Sequence, residues 1–494
     1  MFKSFKTKVL SWQHIYRSSV AALWIGNSLV GQVWLTQRAE AQTSNYCKFT
    51  QEVVSQKENL RQNALKGNPE ADKGYKAILK QHAAYLKECR DRTWPQTQAV
   101  WLRLYPCDIR AGAIDYILDR IVNRGYNQVY LEVFFDGQVL LPSSDNPTVW
   151  PSALRSPGTE RVDLLAQTIQ KGRERGLEVY AWLFSMNFGY NYSQIPNRQG
   201  VLAINGRGEN SINYVHDQSQ TFIDPYHNQA KSDYYQLVQA VLRRRPDGIL
   251  FDYIRYPRGS GSDSVASNVK DLWIYSEAST QALYSRALNN QGLELIKRYI
   301  SKGSIGTSDV VEVKKLYPTE ETPLWQGRIA DSQDSTATLN WQLWQLSVAH
   351  AAQGVLDFLA VASLPAQRAG IPAGAVFFPD GNQTVGEGGY DSRLQPWDHF
   401  SPMLEWHPMS YGVCGHTGCI EDLVRRVADR ASPQTKIMPA LAGTWGKSVS
   451  NRPSLEAQME AIRKRIPGIN GVSHFAFSWQ EPQFDRDRKF CRLD

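Results

Sequence analysis

The sequence predicts an α/β protein, a (β/α)8 TIM barrel preceded by a helical segment and carrying a long insertion after its fourth strand. From residue 99 onward, short β-rich runs alternate with helical stretches, the pattern of parallel βα units. Eight such runs are present, the number that closes a barrel. The connection between the fourth and fifth runs is far too long for one helix.

The elements follow in order. Residues 1–41 carry Lys3, Lys6, Lys8 and Arg17, then the mostly apolar stretch Val20 to Leu35, then Ala39-Glu40-Ala41. That is the layout of a secretory signal with an A-x-A cleavage site. The rival reading is a retained anchor, but Asn27 and Gln32 interrupt a stretch already short of the ~20 apolar residues a span needs. Residues 42–96 are polar, with Tyr75, Ile78, Leu79, His82, Tyr85 and Leu86 at helical spacing, and are expected to form a small helical segment. The barrel is expected over 97–485. Its first strand is Ala99 to Tyr105, followed by a helix from Ala113 to Arg124, and its second is Gln128 to Phe135. A helix from Asp163 to Arg175 stops at Gly176 and leads into strand three, Leu177 to Phe184. A helix from Ser232 to Arg245 leads into strand four, Asp247 to Tyr253. Residues 259–340 are assigned to the insertion. Strands five to eight are placed at Gly374 to Phe378, His399 to Leu404, Lys436 to Leu441 and Gly471 to Phe477, leaving 486–494 as a tail.

Composition narrows the partners. The net charge of +7 falls to +3 without the first 41 residues, which hold five basic side chains and one acidic one. This is weak ground for a nucleic-acid partner, and no stable membrane insertion is expected after signal cleavage. A monomer is expected. The six cysteines, an even number, suit an oxidising compartment, periplasmic or extracellular, and three disulfides. Fifteen pairings are open in principle. Cys414 and Cys419 close a short Gly-rich loop, Cys47 and Cys89 share the N-terminal helical region, and Cys107 with Cys491 would clasp the two ends of the barrel. The loop Cys414-Gly-His416-Thr-Gly-Cys419 has a metal-binding alternative on weak spacing, and no metal or other cofactor is expected.

Reactive groups in such barrels come from strand carboxyl ends and the loops beyond them, since the interior is filled. Asp252 ends the apolar run Ile249-Leu250-Phe251 and precedes Tyr253-Ile254-Arg255, where Arg255 is a possible partner. A carboxylate in that place is costly to bury unless paired or used. Glu405 follows the sixth run and opens the sequence Trp406-His407-Pro408-Met409-Ser410-Tyr411. Asp380 follows the fifth run, and Glu481 and Asp136 follow the eighth and second. Trp182, Trp445 and Trp479 are at or beyond strand ends, where an indole face is available for stacking.

The segments Tyr126 to Ser143, Gly176 to Trp182, Asp247 to Pro257 and the helix start Trp341 to Gln345 resemble the bacterial glycosyl hydrolase-like family ten, which is distinct from the family ten xylanases. The resemblance spans roughly residues 97 to 480, and the Asp-Tyr-x-x-Tyr-Pro motif of strand four is its most specific part. It implies a TIM barrel, an exported or envelope location, and hydrolysis of a polysaccharide or glycan, with Asp252 matching the acidic residue of the motif. The chain departs from the family pattern at Glu405, where an aromatic residue is common, and in its long loop after strand four. Glycoside hydrolysis by two carboxyl groups would use Asp252 as nucleophile or base and Glu405 or Asp380 as proton donor. Arg255, Tyr253, His407, Tyr411, the three tryptophans and Glu481 would hold the sugar. The alternative is a carbohydrate-binding or scaffolding envelope protein that keeps the barrel without turnover.

Overall fold

The computed structural model describes residues 46–215, 217, 219–331 and 333–493, so the expected signal segment lies outside the described residues. Two helices come first, α1 (Gln51–Leu65) and α2 (Pro69–Arg92), the latter capped by the Asn68 side chain on the Ala71 amide. The eight barrel strands are β1 (Thr97–Leu102), β2 (Gln128–Phe135), β3 (Glu178–Phe184), β4 (Gly248–Asp252), β5 (Ala373–Phe377), β6 (Glu405–Pro408), β7 (Ala440–Ala442) and β8 (Gly471–Phe475). They pair in parallel in the order β6-β5-β4-β3-β2-β1-β8-β7. Bridges Trp406 to Ile437 and Met409 to Ala440 join β6 to β7 and close the ring. Helices α3 (Ala113–Asn123), α4 (Leu164–Arg173) and α5 (Asn228–Leu242) follow the first three strands. The insertion after β4 holds α6 (Glu277–Tyr284), α7 (Asn290–Lys302) and α8 (Thr307–Leu316), and the barrel resumes with the 33-residue α9 (Thr336–Arg368). By length and composition α9 could cross a membrane, but here it packs on α5, β4 and β5, with 61% of its apolar window buried. Helices α10 (Gly418–Ala428), α11 (Leu455–Arg465) and α12 (Pro482–Lys489) complete the chain, α12 crossing the limit drawn at residue 485.

Strand six differs from expectation. Residues Trp397–His399 form a 3-10 turn, Ser401, Pro402 and Met403 are exposed, and the strand begins only at Glu405. Pro402 has no N–H for a ladder, whereas Trp406 exchanges hydrogen bonds with Lys436 and Met438, both at 2.8 Å. Its inward side chains are polar, so the run does not read as a buried strand.

The interior is filled by pairing large residues with small ones. A Cβ on Gly248 would stand 2.3 Å from the Tyr180 ring, and one on Gly374 2.7 Å from His407. On the outside, Arg90 of α2 is nearly fully buried and donates to the carbonyls of Gly125, Pro95 and Tyr46, fastening the helical pair to the barrel.

All three expected disulfides form: Cys47–Cys89, Cys107–Cys491 and Cys414–Cys419. A cross-link constrains the unfolded chain more as its loop lengthens. Replacing Cys107 and Cys491, 384 residues apart, by serine should therefore cost about 4 kcal/mol more than replacing Cys414 and Cys419, five apart, measured by urea unfolding.

Candidate functional site

The carboxyl ends of β1, β2, β3, β4 and β8 surround a small group of inward side chains. Trp101 donates to Ser473 Oγ at 3.0 Å and meets Trp182 edge to face at 4.8 Å. Trp182 in turn donates its indole N–H to Asp252 Oδ2 at 3.1 Å, and the Tyr253 amide donates to Asp252 Oδ1 at 2.6 Å. Asp252 is only 6% exposed. Burial pushes its carboxyl up to about 6, against the Tyr253 amide, the charge of Arg255 and the Trp182 indole.

Tyr253 turns the chain at the end of β4 with φ +53°, a left-handed value that tyrosine seldom adopts. The turn lays its ring against Phe184 at 4.3 Å and under the Arg255 guanidinium at 4.7 Å. Arg255 donates to the Tyr256 carbonyl at 2.9 Å and forms no salt bridge with Asp252. Tyr411, just beyond β6, is half-buried and packs on Phe475 at 5.5 Å. Burial and then the charge of Asp252 hold its phenol well above the ordinary range.

Sequence reasoning missed Glu132. It is the single charge in the β2 run Gln128–Phe135, its side chain is fully buried, and it lies in register with Trp182. Arg103, at the end of β1, grips it through two nitrogens, Nη2 to Oε1 at 2.6 Å and Nε to Oε2. Burial pushes Glu132 up to about 7, opposed by Arg103 and reinforced by the charges of Asp136 and Asp252. One strand separates β2 from β4, about 10 Å between backbones, and the charge of Asp252 reaches Glu132 across it. Asp136 is half-buried at the end of β2, in a left-handed turn with φ +46°, and burial raises its carboxyl.

The other expected residues lie elsewhere or have other work. Glu405 is the first residue of its strand, at the amino end of the barrel, because β6 starts there rather than ending there. Lys436 donates to it at 2.7 Å and His407 lies 3.3 Å away. Burial would raise its carboxyl, but those two neighbours outweigh it and bring it down to about 2. A group so firmly ionised is no proton donor. His407 is fully buried inside the barrel, edge-on to Tyr130 at 5.4 Å. Glu481 is clasped by Arg120 at 2.5 Å and by Arg124 on α3. Trp445 lies against Tyr46 and His474 on the outer wall, with Lys48 3.6 Å above its ring. These four take no part in the group around Asp252. Trp479 is half-exposed beyond β8 under Arg452, whose charge also reaches Tyr411. Asp380 is on the rim, ion-paired with Arg393 at 3.1 Å. Asn187 and Asp224 accept backbone amides in the loop after β3, and His227 caps α5. Among the described residues no group of His, Cys, Asp and Glu has metal-ligand geometry, and the sulfurs of the Cys414 loop are joined in their disulfide.

Two stability tests separate these carboxylates. Raising an acid's pKa makes the folded state bind protons that the unfolded chain releases, so stability falls as pH rises from about 4 to about 6 at Asp252. Asp252→Asn should gain about 2–3 kcal/mol in urea unfolding at pH 7.5 and almost nothing at pH 4. Glu405 has the opposite sign: its contribution is present above about 4.5 and is lost as pH falls towards about 2. Glu405→Gln should lose about 2–3 kcal/mol at neutral pH in the same measurement.

The sequence model of the family described as glycosyl hydrolase-like 10 matches residues 102–288. No curated protein sequence matches the chain. Among solved structures, the PgaB (BpsB) glycoside hydrolase domain from Bordetella bronchiseptica is 16% identical, with 81% of this chain and 99% of that one covered and a TM-score of 0.43. A β-galactosidase from the psychrophilic Marinomonas ef1 is 10% identical over 77% of this chain and 54% of its own, with a TM-score of 0.44. The GH20 exo-β-N-acetylglucosaminidase of Vibrio harveyi, in an inactive mutant form, is 8% identical over 80% and 52%, with a TM-score of 0.38. Residues 102–288, with both buried carboxyls, thus match the family that the strand-four motif resembles, and the molecule is a (β/α)8 barrel.

Proposed function

We propose that the protein is an exported glycoside hydrolase cleaving O-glycosidic bonds of a polysaccharide or envelope glycan at the carboxyl end of its barrel. The observation that carries this is the pair of buried, inward carboxyls of Asp252 and Glu132, raised to about 6 and about 7, with the charge of Asp252 among the causes at Glu132. Groups tuned apart in this way divide acid and base roles. Asp252, ionised above about pH 6, acts as nucleophile or base. Glu132, holding its proton to about pH 7, takes the donor role that the sequence assigns to Glu405 or Asp380. It carries a proton and presents it to the sugar only if Arg103, whose side chain is 39% exposed and which now donates to both its oxygens, swings aside as the sugar enters. Tyr411, Tyr253 and Trp479 line the half-exposed rim above, and Asp380 stands on its edge. Three disulfides fit an oxidising compartment outside the cytoplasm.

The grip of Arg103 on Glu132 also favours a second reading, in which that pair is permanent and the barrel binds glycan without turnover. One experiment decides between them: reducing-end release from a panel of envelope and extracellular polysaccharides by residues 42–494. Turnover should follow a bell-shaped pH profile with limbs near 6 and 7. Asp252→Asn and Glu132→Gln should each lower it at least 100-fold while the fold persists. Retained glycan binding with no release at any pH supports the second reading.

A further inference from the structure

Arg255 is 8% exposed, yet among the described residues its guanidinium makes one hydrogen bond, to a backbone carbonyl, and enters no salt bridge. The other deeply buried guanidiniums are compensated. Arg90 holds three carbonyls, Arg175 holds Asp119 and Asp115, and Arg393 takes both oxygens of Asp391 at 2.7 Å together with Asp380. Asp391 and Asp380 are engaged by Arg393, whose like charge adds to the cost of burying Arg255, while the charges of Asp252 and Asp391 offset part of it without a hydrogen bond to the guanidinium. Asp252 is occupied by Trp182 and the Tyr253 amide. Around Arg255 stand three aromatic rings, Tyr253 at 4.7 Å, Phe222 at 5.5 Å and Phe378 at 5.9 Å, which supply cation–π contact but no counter-charge. The free edge is not sealed off: the buried side-chain nitrogens without a partner include Arg393 Nη1 but none of Arg255.

A buried cation without a hydrogen-bonded anion is expensive, and a guanidinium fork fits planar and tetrahedral oxyanions through two parallel hydrogen bonds. We propose that Arg255 receives an anionic substituent of the glycan, the carboxylate of a uronic acid or a sulfate ester, on the sugar seated beside Asp252. This rests on the reading of the site as a glycan site, and it narrows the substrate to acidic polysaccharides.

The test uses the Asp252→Asn form of residues 42–494, so that ligand survives, in affinity electrophoresis at 0.15 M salt. The probes are polygalacturonate and alginate against their carboxyl-reduced products, and dextran sulfate against dextran. At least one charged member should bind 10-fold or more tighter than its neutral counterpart, and which pair responds distinguishes carboxylate from sulfate. Arg255→Gln in the same background should bring the ratio below twofold, Arg255→Lys should keep part of it, and the exposed control Lys80→Gln should leave it unchanged. Equal binding within every pair, or a preference that survives Arg255→Gln in a folded variant, overturns the proposal; the paired comparison in the Asp252→Asn form needs no change at Arg255. Reducing-end release by the unmutated protein is followed separately. Acidic preference without release keeps this inference and removes the hydrolase reading, while release from neutral glycans with no preference does the reverse.

Discussion

The hydrogen bond from the Trp182 indole to Asp252 is the contact on which the arrangement of the rim depends. A barrel interior has no water to spare for its polar atoms, so each inward group must find its partner among the side chains of neighbouring strands. Trp101 meets Ser473 and lies edge-on to Trp182, Trp182 meets Asp252, and Glu132 meets Arg103. At the other end Glu405 meets Lys436 and His407. The two ends solve the same problem differently. At the amino end a carboxylate is over-compensated and stays charged. At the carboxyl end burial outweighs compensation, and two carboxyls are left close to neutrality, the condition under which a side chain exchanges protons.

The insertion and the loop after β5 build up one side of that rim. A three-stranded sheet joins Val265–Ala266 of the insertion to Thr384–Val385 and Gly389–Asp391, and Trp344 of α9 donates to the Gly388 carbonyl. Asp391, in register with Val265 of the insertion, begins the chain of contacts through Arg393 to Asp380 and Phe378, so the loop after β5 sets the charge balance around Arg255. The Cys414–Cys419 loop closes the facing side just beyond Tyr411.

Much of this was legible in the sequence because it follows from periodicity and from strand ends. The runs Gln128–Phe135 and Gly248–Asp252 are apolar enough to be seen, and Asp252 is conspicuous where the second of them stops. Strand six was not legible, because Glu405-Trp406-His407-Pro408 alternates polar residues facing a polar interior with outward apolar ones, against the usual sense of burial. That misreading reversed the end at which Glu405 sits. Glu132 was overlooked for the complementary reason: it stands mid-strand between Leu131 and Val133 and its counter-charge is on another strand. The usable signal was its parity with Tyr130, which puts a lone carboxylate on the inward face of an apolar run. Glu481 and Trp445 follow their strands in sequence as rim residues do, but the chain there folds back over the outer wall, a matter of tertiary packing that local pattern does not carry.

The Cys107–Cys491 bond, supported by Arg488 on Asp108, ties the first rim turn to the last residues of the chain. Topologically β2 to β8 lie within a covalent ring, and β1 with the α1 and α2 pair precedes it as a pendant strand and helices. A protease that nicks any loop between the two sulfurs linearises the ring without releasing a fragment, and the eight strands remain held by one continuous molecule. Cleavage at a single exposed loop is thereby separated from loss of the site.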